Sequence, residues 1–282
     1  MRGVVSAGMV VALEQLDLLH VFDRVYGSSA GAMNGAFFVA GQAAFGTTIY
    51  YENINNTRFV NVRRALGRRP VLDLDFLVWD VMCGPKRLDV ERILESPVGL
   101  HALATHTGTG DRTVFGTWSD RADFLACLRA GASMPVVSGP PYFYRGEPYW
   151  DALLSEPVPA RIAEDDGFTH LLVLLTRPTD GEGPRLSPLD RYYVLPRLRK
   201  VSETLARRYR ERPQEYLKLL SALGGGRGPQ GRAAALTVAP SEPVVGKLER
   251  NREQLKRSAR AGMRAVFAGL GFDAPAGSGL GG

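Results

Sequence analysis

Residues 25–42, VYGSSAGAMNGAFFVAGQ, set Ser28 and Ser29 between Gly27 and Gly31 and follow them with small and apolar residues. This stretch constrains the fold most. An apolar strand, VFDRVYG with Val21, Val25 and Tyr26, runs straight into it, and a helix rich in Ala, Phe and Val is expected from Ala30. Strand, sharp turn, helix is a local βα unit. Gly27-Ser28-Ser29-Ala30-Gly31 fits G-x-S-x-G, in which the central serine occupies a strained corner. Side chains two positions to either side are expected to collide with the neighbouring strand and helix, which accounts for Gly27 and Gly31. The helix starting at Ala30 would aim its free N–H groups at Ser29, favouring an oxyanion there. Ser29 is therefore a candidate nucleophile.

An alkyl hydroxyl needs a base within hydrogen-bond reach. The four histidines are His20, His101, His106 and His170. His170 falls in an apolar strand run and reads as a core residue. His101 and His106 are read as lying in a Thr/Gly-rich loop with no partner pattern. A histidine base is poorly supported, which leaves a carboxylate. Asp151 closes the hairpin return PYWD, walled by Tyr149 and Trp150, a setting that would desolvate it and raise its pKa. By residue type alone it also reads as a helix N-cap.

The remaining sequence bounds the alternatives. The 282 residues carry a net charge of +6, and more than half of the lysines and arginines follow residue 184. Such a bias suits either a solvated basic helix face or contact with an anionic membrane surface. Cys83 and Cys127 match no metal spacing and make no disulfide framework. No apolar run reaches the roughly 18 residues of a membrane span. Met1-Arg2-Gly3 opens an amphipathic stretch interrupted by Glu14 and Asp17, unlike a signal peptide, so a cytoplasmic protein is expected. Gly27, Gly31 and Gly35 do not form G-x-G-x-x-G, and GGGRGPQGR at 224–232 lacks the Gly-Lys-Ser/Thr ending of a phosphate loop. Nucleic acid and nucleotides are not expected partners.

Along the chain, the spacing predicts a helix over 4–19 with Val5, Met9, Ala12, Leu13 and Leu16 inward. Residues 47–110 are irregular and read as a cap over a sheet. A strand follows at 112–119, then a helix capped by Ser119 or Asp120, a hairpin turning at Arg145-Gly146-Glu147-Pro148, and a buried strand FTHLLVLLT. A basic helical region covers 188–222, with a last strand at AALTVAP and a last helix over 246–269. Alternating strands and helices make this an α/β chain.

At GSSAG and at YWDALLSEPVP, preceded by ASMPVVSGPPYF, the sequence resembles the patatin-like phospholipase family. The resemblance runs from residue 1 to about 178, and more loosely over 188–270. It implies a three-layer α/β/α sandwich with a mostly parallel central sheet. Residues 1–178 would form the catalytic domain, 179–272 a C-terminal helical extension packed on it, and 273–282 a disordered tail. It implies a serine acyl hydrolase of the phospholipase A or lipid esterase type, with Ser29 as nucleophile and Asp151 as proton acceptor. The oxyanion would rest near Arg2, Gly3 and Ala30, with Gly27 and Gly31 as elbow glycines. A lipid acyl ester is the implied substrate, with no metal and no cofactor, peripheral contact with a membrane surface, and no protein partner inferable.

Two departures from the family pattern stand out. The acid motif is Asp151-Ala152-Leu153 where the family has Asp-Gly-Gly or Asp-Gly-Ala, so a left-handed turn there would be strained. The glycine-rich oxyanion loop is reduced to Met1-Arg2-Gly3. The family pattern then places its other glycines, and a first strand of the sheet, upstream of Met1, as if the chain began too late. A thioesterase or acyltransferase using the same dyad, and a catalytically impaired lipid-binding protein, are the alternative readings.

Overall fold

Ala102–Thr105 form an unbroken buried run within Gly99–His106, the signature of a strand covered on both faces. Leu100, Ala102 and Ala104 point into the main core, while Leu103 joins a smaller cluster with Ala152 and Ile162. A computed structural model describes residues 1–67, 69–179, 185–242 and 244–273. In it this strand, β2, is the centre of the sheet. β1 (Arg24–Ser28) pairs with it in parallel, and β3 (Arg112–Phe115) and β5 (Glu147–Asp151) pair antiparallel; β4 (Tyr142–Tyr144) completes the hairpin with β5. A second, two-stranded parallel sheet joins β6 (His170–Leu174) to β7 (Ala234–Val238). The sheet is thus mixed rather than mostly parallel, because the turns after β2 and β4 are too short for helical crossovers.

The helices are α1 (Val4–Gln15), α2 (Ala30–Val39), α3 (Ala43–Thr47), α4 (Val90–Glu95), α5 (Arg121–Gly131), α6 (Ala160–Asp165), α7 (Leu195–Val201), α8 (Glu203–Gly224) and α9 (Arg252–Leu270). α1, α2, α5 and α9 lie on the face of Ala102 and Ala104, and α6 covers Leu103 on the other. These are the outer layers of an α/β/α sandwich. Asp120 caps α5 by accepting from the Asp123 N–H. The hairpin turn falls at Arg145 and Gly146, both at positive φ, as a two-residue turn requires.

Three expectations are corrected. The region 47–110 contains β2 as well as a cap; Ala, Gly and His give this strand little intrinsic propensity, and its covered position decides. α1 is buried all round from Val4 to Leu13, not amphipathic, because α2, α3 and α9 enclose it. His170 is exposed on β6, not in the core. The tail expected over 273–282 lies outside the described residues apart from Asp273. Among the described residues no helix is long and apolar enough to cross a membrane.

α1 and α9 meet almost backbone to backbone. A Cβ on Gly8 would stand 1.9 Å from the Ala259 carbonyl oxygen, and one on Gly262 would stand 2.0 Å from that of Val5. This contact fixes the start of α1, and with it Gly3, against the rest of the fold. Gly262→Leu is expected to lower unfolding free energy by about 2 kcal/mol or more, the cost of overpacking a rigid contact. Urea denaturation of the two proteins measures it; equal midpoints would show that the helices can separate freely.

Candidate active site

β1 ends at Ser28 and α2 begins at Ala30, so Ser29 alone makes the corner. Its backbone sits at φ 55°, ψ −126°, a conformation costing about 1–3 kcal/mol for a residue other than glycine. Ser28 tethers the corner, its Oγ donating to the Glu156 carbonyl at 2.7 Å. Gly27 is required by contact, since a Cβ there would lie 2.4 Å from Ala32 Cα. Gly31 is not: a Cβ there meets nothing within 4 Å, because this first turn of α2 faces a cavity and no strand lies against it.

Asp151 ends β5 and is paired to Ala104, while Ser28 is paired to Leu103 on the opposite edge of β2. The two functional segments are therefore held one residue apart along the same strand. Ser29 Oγ donates to Asp151 Oδ2 at 2.6 Å, and the Leu153 N–H donates to Oδ1 at 2.8 Å. The carboxylate is thus both the hydroxyl's partner and the cap of a short 3-10 turn, Ala152–Leu154. Its main chain is held from two sides: the Asp151 N–H donates to the Ser133 carbonyl at 2.8 Å, and Thr105 Oγ1 donates to the Asp151 carbonyl at 3.0 Å. Ala152 and Leu153 have no positive φ, so the departure from Asp-Gly-Gly introduces no strain.

Asp151 is 1% exposed. Burial pushes its carboxyl above the usual range, while the bonds from Ser29 and Leu153 and the Lys247 and Arg212 charges pull it back. A buried carboxylate of raised pKa, bonded to a hydroxyl, can accept that hydroxyl's proton. No histidine is hydrogen-bonded to Ser29: His101 partners Arg24 at 2.9 Å, His106 partners Glu147 at 3.0 Å, and His170 lies against the Thr169 hydroxyl.

The residues expected around the oxyanion divide. Gly3 lies against Ala30, close enough that a Cβ on Gly3 would stand 2.5 Å from Ala30 Cβ. Ala30 opens α2; the Ala32 N–H donates to the Ser29 carbonyl at 3.0 Å, while the N–H groups of Ala30 and Gly31, the first two of the helix, precede the first intrahelical bond. Arg2 lines the same cavity, and its guanidinium makes no hydrogen bond among the described residues; the Arg177 and Arg212 charges act on it.

Four supporting residues were not identified from the sequence: Ser28, Thr105, Ser133 and Asn34. Asn34 is the most consequential. Its Nδ2 donates to the Gly3 carbonyl at 2.8 Å and to Ser6 Oγ at 2.9 Å, and its Oδ1 accepts from Tyr50 at 3.1 Å. A polar side chain inside the small-residue helix was the available clue, since a buried amide must find partners.

Ser29 and Asp151 open onto a cavity of about 1710 Å3, bordered by the edges of β1 and β6 and lined by apolar side chains such as Val10, Phe37, Ile54, Leu77, Leu154 and Leu174. It is larger than the roughly 300–1,000 Å3 of typical small-molecule sites, and its lining suits a long aliphatic group.

Comparison with known proteins gives two findings. The model of the family described as "Patatin-like phospholipase" matches residues 1–164. A protein of Escherichia coli (strain K12), described as uncharacterized protein YjjU, is 23% identical over 180 residues, covering 63% of this chain and 50% of that protein. The chain thus spans about half the length of this curated relative.

The burial of Asp151 has a consequence for stability. A carboxyl whose folded pKa is raised favours the fold when protonated, and that contribution is lost as pH rises through the folded value. Asp151→Asn removes the titration. The variant is expected to melt above the parent protein at pH 8, with the gap closing as pH falls toward the ordinary value of about 3.9. Calorimetric melting across that range checks this; a gap independent of pH would show that Asp151 is not the titrating group.

Proposed function

The chain belongs to the patatin-like phospholipase family, a family of lipid acyl hydrolases, and we propose that it hydrolyses lipid acyl esters through a Ser29–Asp151 dyad. The observation carrying this reading is the 2.6 Å hydrogen bond between Ser29 Oγ and the buried Asp151 carboxylate, made from a strained strand-to-helix corner.

Asp151 accepts the Ser29 proton as Oγ attacks the ester carbonyl. Developing charge on the carbonyl oxygen is received at the start of α2, by the free N–H groups at Ala30 and its neighbour Gly3. Collapse expels the alcohol, which leaves with the proton held by Asp151, and an acyl group remains on Ser29. Water, deprotonated by Asp151, releases the fatty acid and restores the hydroxyl. The apolar cavity supplies room for the acyl chain.

A fluorophosphonate probe and a p-nitrophenyl ester test this. Ser29→Ala is expected to abolish labelling and turnover, while Ser28→Ala, which loses only the tether to Glu156, keeps labelling. Asp151→Asn is expected to lower kcat/KM by about 10²–10⁴-fold, the usual worth of a positioned base. Labelling that survives in Ser29→Ala, or unreduced turnover by Asp151→Asn, overturns the dyad.

A further inference from the structure

The cavity holding Ser29 and Asp151 is lopsided in charge. Arg2, Arg177, Arg212 and Lys247 all line it, and no ion pair joins any of the four to a carboxylate among the described residues. Arg212 lies over the Tyr209 ring at 4.3 Å, and its Nε and Nη1 are buried with no hydrogen-bond partner. Buried N–H groups without partners are costly, and proteins seldom retain them without use. The two carboxylates within electrostatic reach are committed elsewhere. Asp151 is bonded to Ser29 and Leu153, and Asp190 accepts from the Tyr209 hydroxyl and from Ser187 at 2.8 Å.

The cations crowd one another. Burial, then Arg177 and Arg212, push Arg2 down to about 10; desolvation, then Arg212 and Arg2, push Lys247 down to about 8. Each of these charges is less favourable for the presence of the others, and an anion placed among them relieves both the repulsion and the orphaned N–H groups at once. Three of the four, Arg177, Arg212 and Lys247, lie beyond residues 1–164, which the family model matches.

We propose that Arg2, Arg177, Arg212 and Lys247 form a phosphate subsite beside the Ser29 ester site, and that the substrate is an acyl ester carrying a net anionic phosphate headgroup. The inference rests on the proposed hydrolase reading for its ester and on the cation cluster for its phosphate. Arginine forks suit the oxygens of a phosphate monoester, and a lysine adds point charge. A zwitterionic headgroup is disfavoured, because the second, positive charge would enter a wall already rich in cations.

The test separates the two readings by measuring binding without turnover. In Ser29→Ala protein, a long-chain monoalkyl glycerol ether bearing a 3-phosphate is expected to bind at least tenfold more tightly than the same ether without phosphate, by equilibrium titration. Adding Arg212→Gln is expected to remove most of that preference, and Arg177→Gln, an independent substitution on another element, to reduce it. Equal affinity for the two ethers, or a preference untouched by both substitutions, overturns the subsite, whatever the fluorophosphonate probe says of Ser29. Inorganic phosphate is the control for a free anion. Competition with the phosphate ether, weakened by Arg212→Gln, supports a headgroup site. Tighter binding of the neutral ether in the presence of inorganic phosphate assigns the cluster to a separate anion and overturns the substrate inference.

Discussion

The hydrogen bond from Ser29 to Asp151 depends on β2. β1 delivers the serine to one edge of this strand and β5 delivers the aspartate to the other, with Ser28 paired to Leu103 and Asp151 paired to Ala104. Strand spacing is about 4.8 Å, so two strands flanking a third are too far apart for side chains within the sheet to touch. The contact forms because both residues sit where their strands end: Ser29 turns over the sheet at φ 55°, and Asp151 is pinned by Ser133 and Thr105 as the chain leaves it. A one-residue slip in either ladder would turn the acid or the elbow to the opposite face. Close packing against β2 guards that register, since a Cβ on Gly131 of α5 would meet the Leu103 carbonyl oxygen at 2.5 Å.

Local sequence rules hold over most of the chain and fail around this contact. Ser29 is strained, Asp151 is a buried carboxylate, and Arg212 keeps N–H groups that bond to nothing described. Each is unfavourable by itself, and all three line one cavity. Such concentration is expected where a fold gives up stability for reactivity. The compensation lies outside the cavity, in the fully buried α1, the backbone contact between α1 and α9, and the core on the Ala102 face of the sheet.

The elbow was legible because its grammar is local: an apolar strand, a serine between small residues, and a helix of small side chains lie within one window. Asp151 reads from sequence as either base or cap; one of its oxygens accepts from the Leu153 N–H and caps the short 3-10 turn, and the other accepts from Ser29. β2 was illegible for the opposite reason. GLHALATH carries two histidines, a glycine and two alanines, and its identity as the central strand comes from what covers it. The small residues are there because α5 and the elbow approach closely. Gly31 misled in the same way: motif logic expects a crowded neighbour, and the fold leaves open space. Asn34 could not be assigned from sequence, since its partners come from two other segments, Gly3 and Ser6 at the start of α1 and Tyr50 beyond α3.

Chemistry and charge are drawn from different parts of the chain. The elbow, the acid and the N–H groups near Ala30 all lie within the segment matched by the family model, and the ladders of β1 and β5 with β2 set the register of the first two. Arg177, Arg212 and Lys247 come from segments after β6, in α8 and before α9, and line the same cavity. α9 is bound to the core through the contact of Gly8 and Gly262 with α1, and β7 is bound through its ladder with β6. The C-terminal third is therefore a wall of the cavity, held by the same helix that positions Gly3.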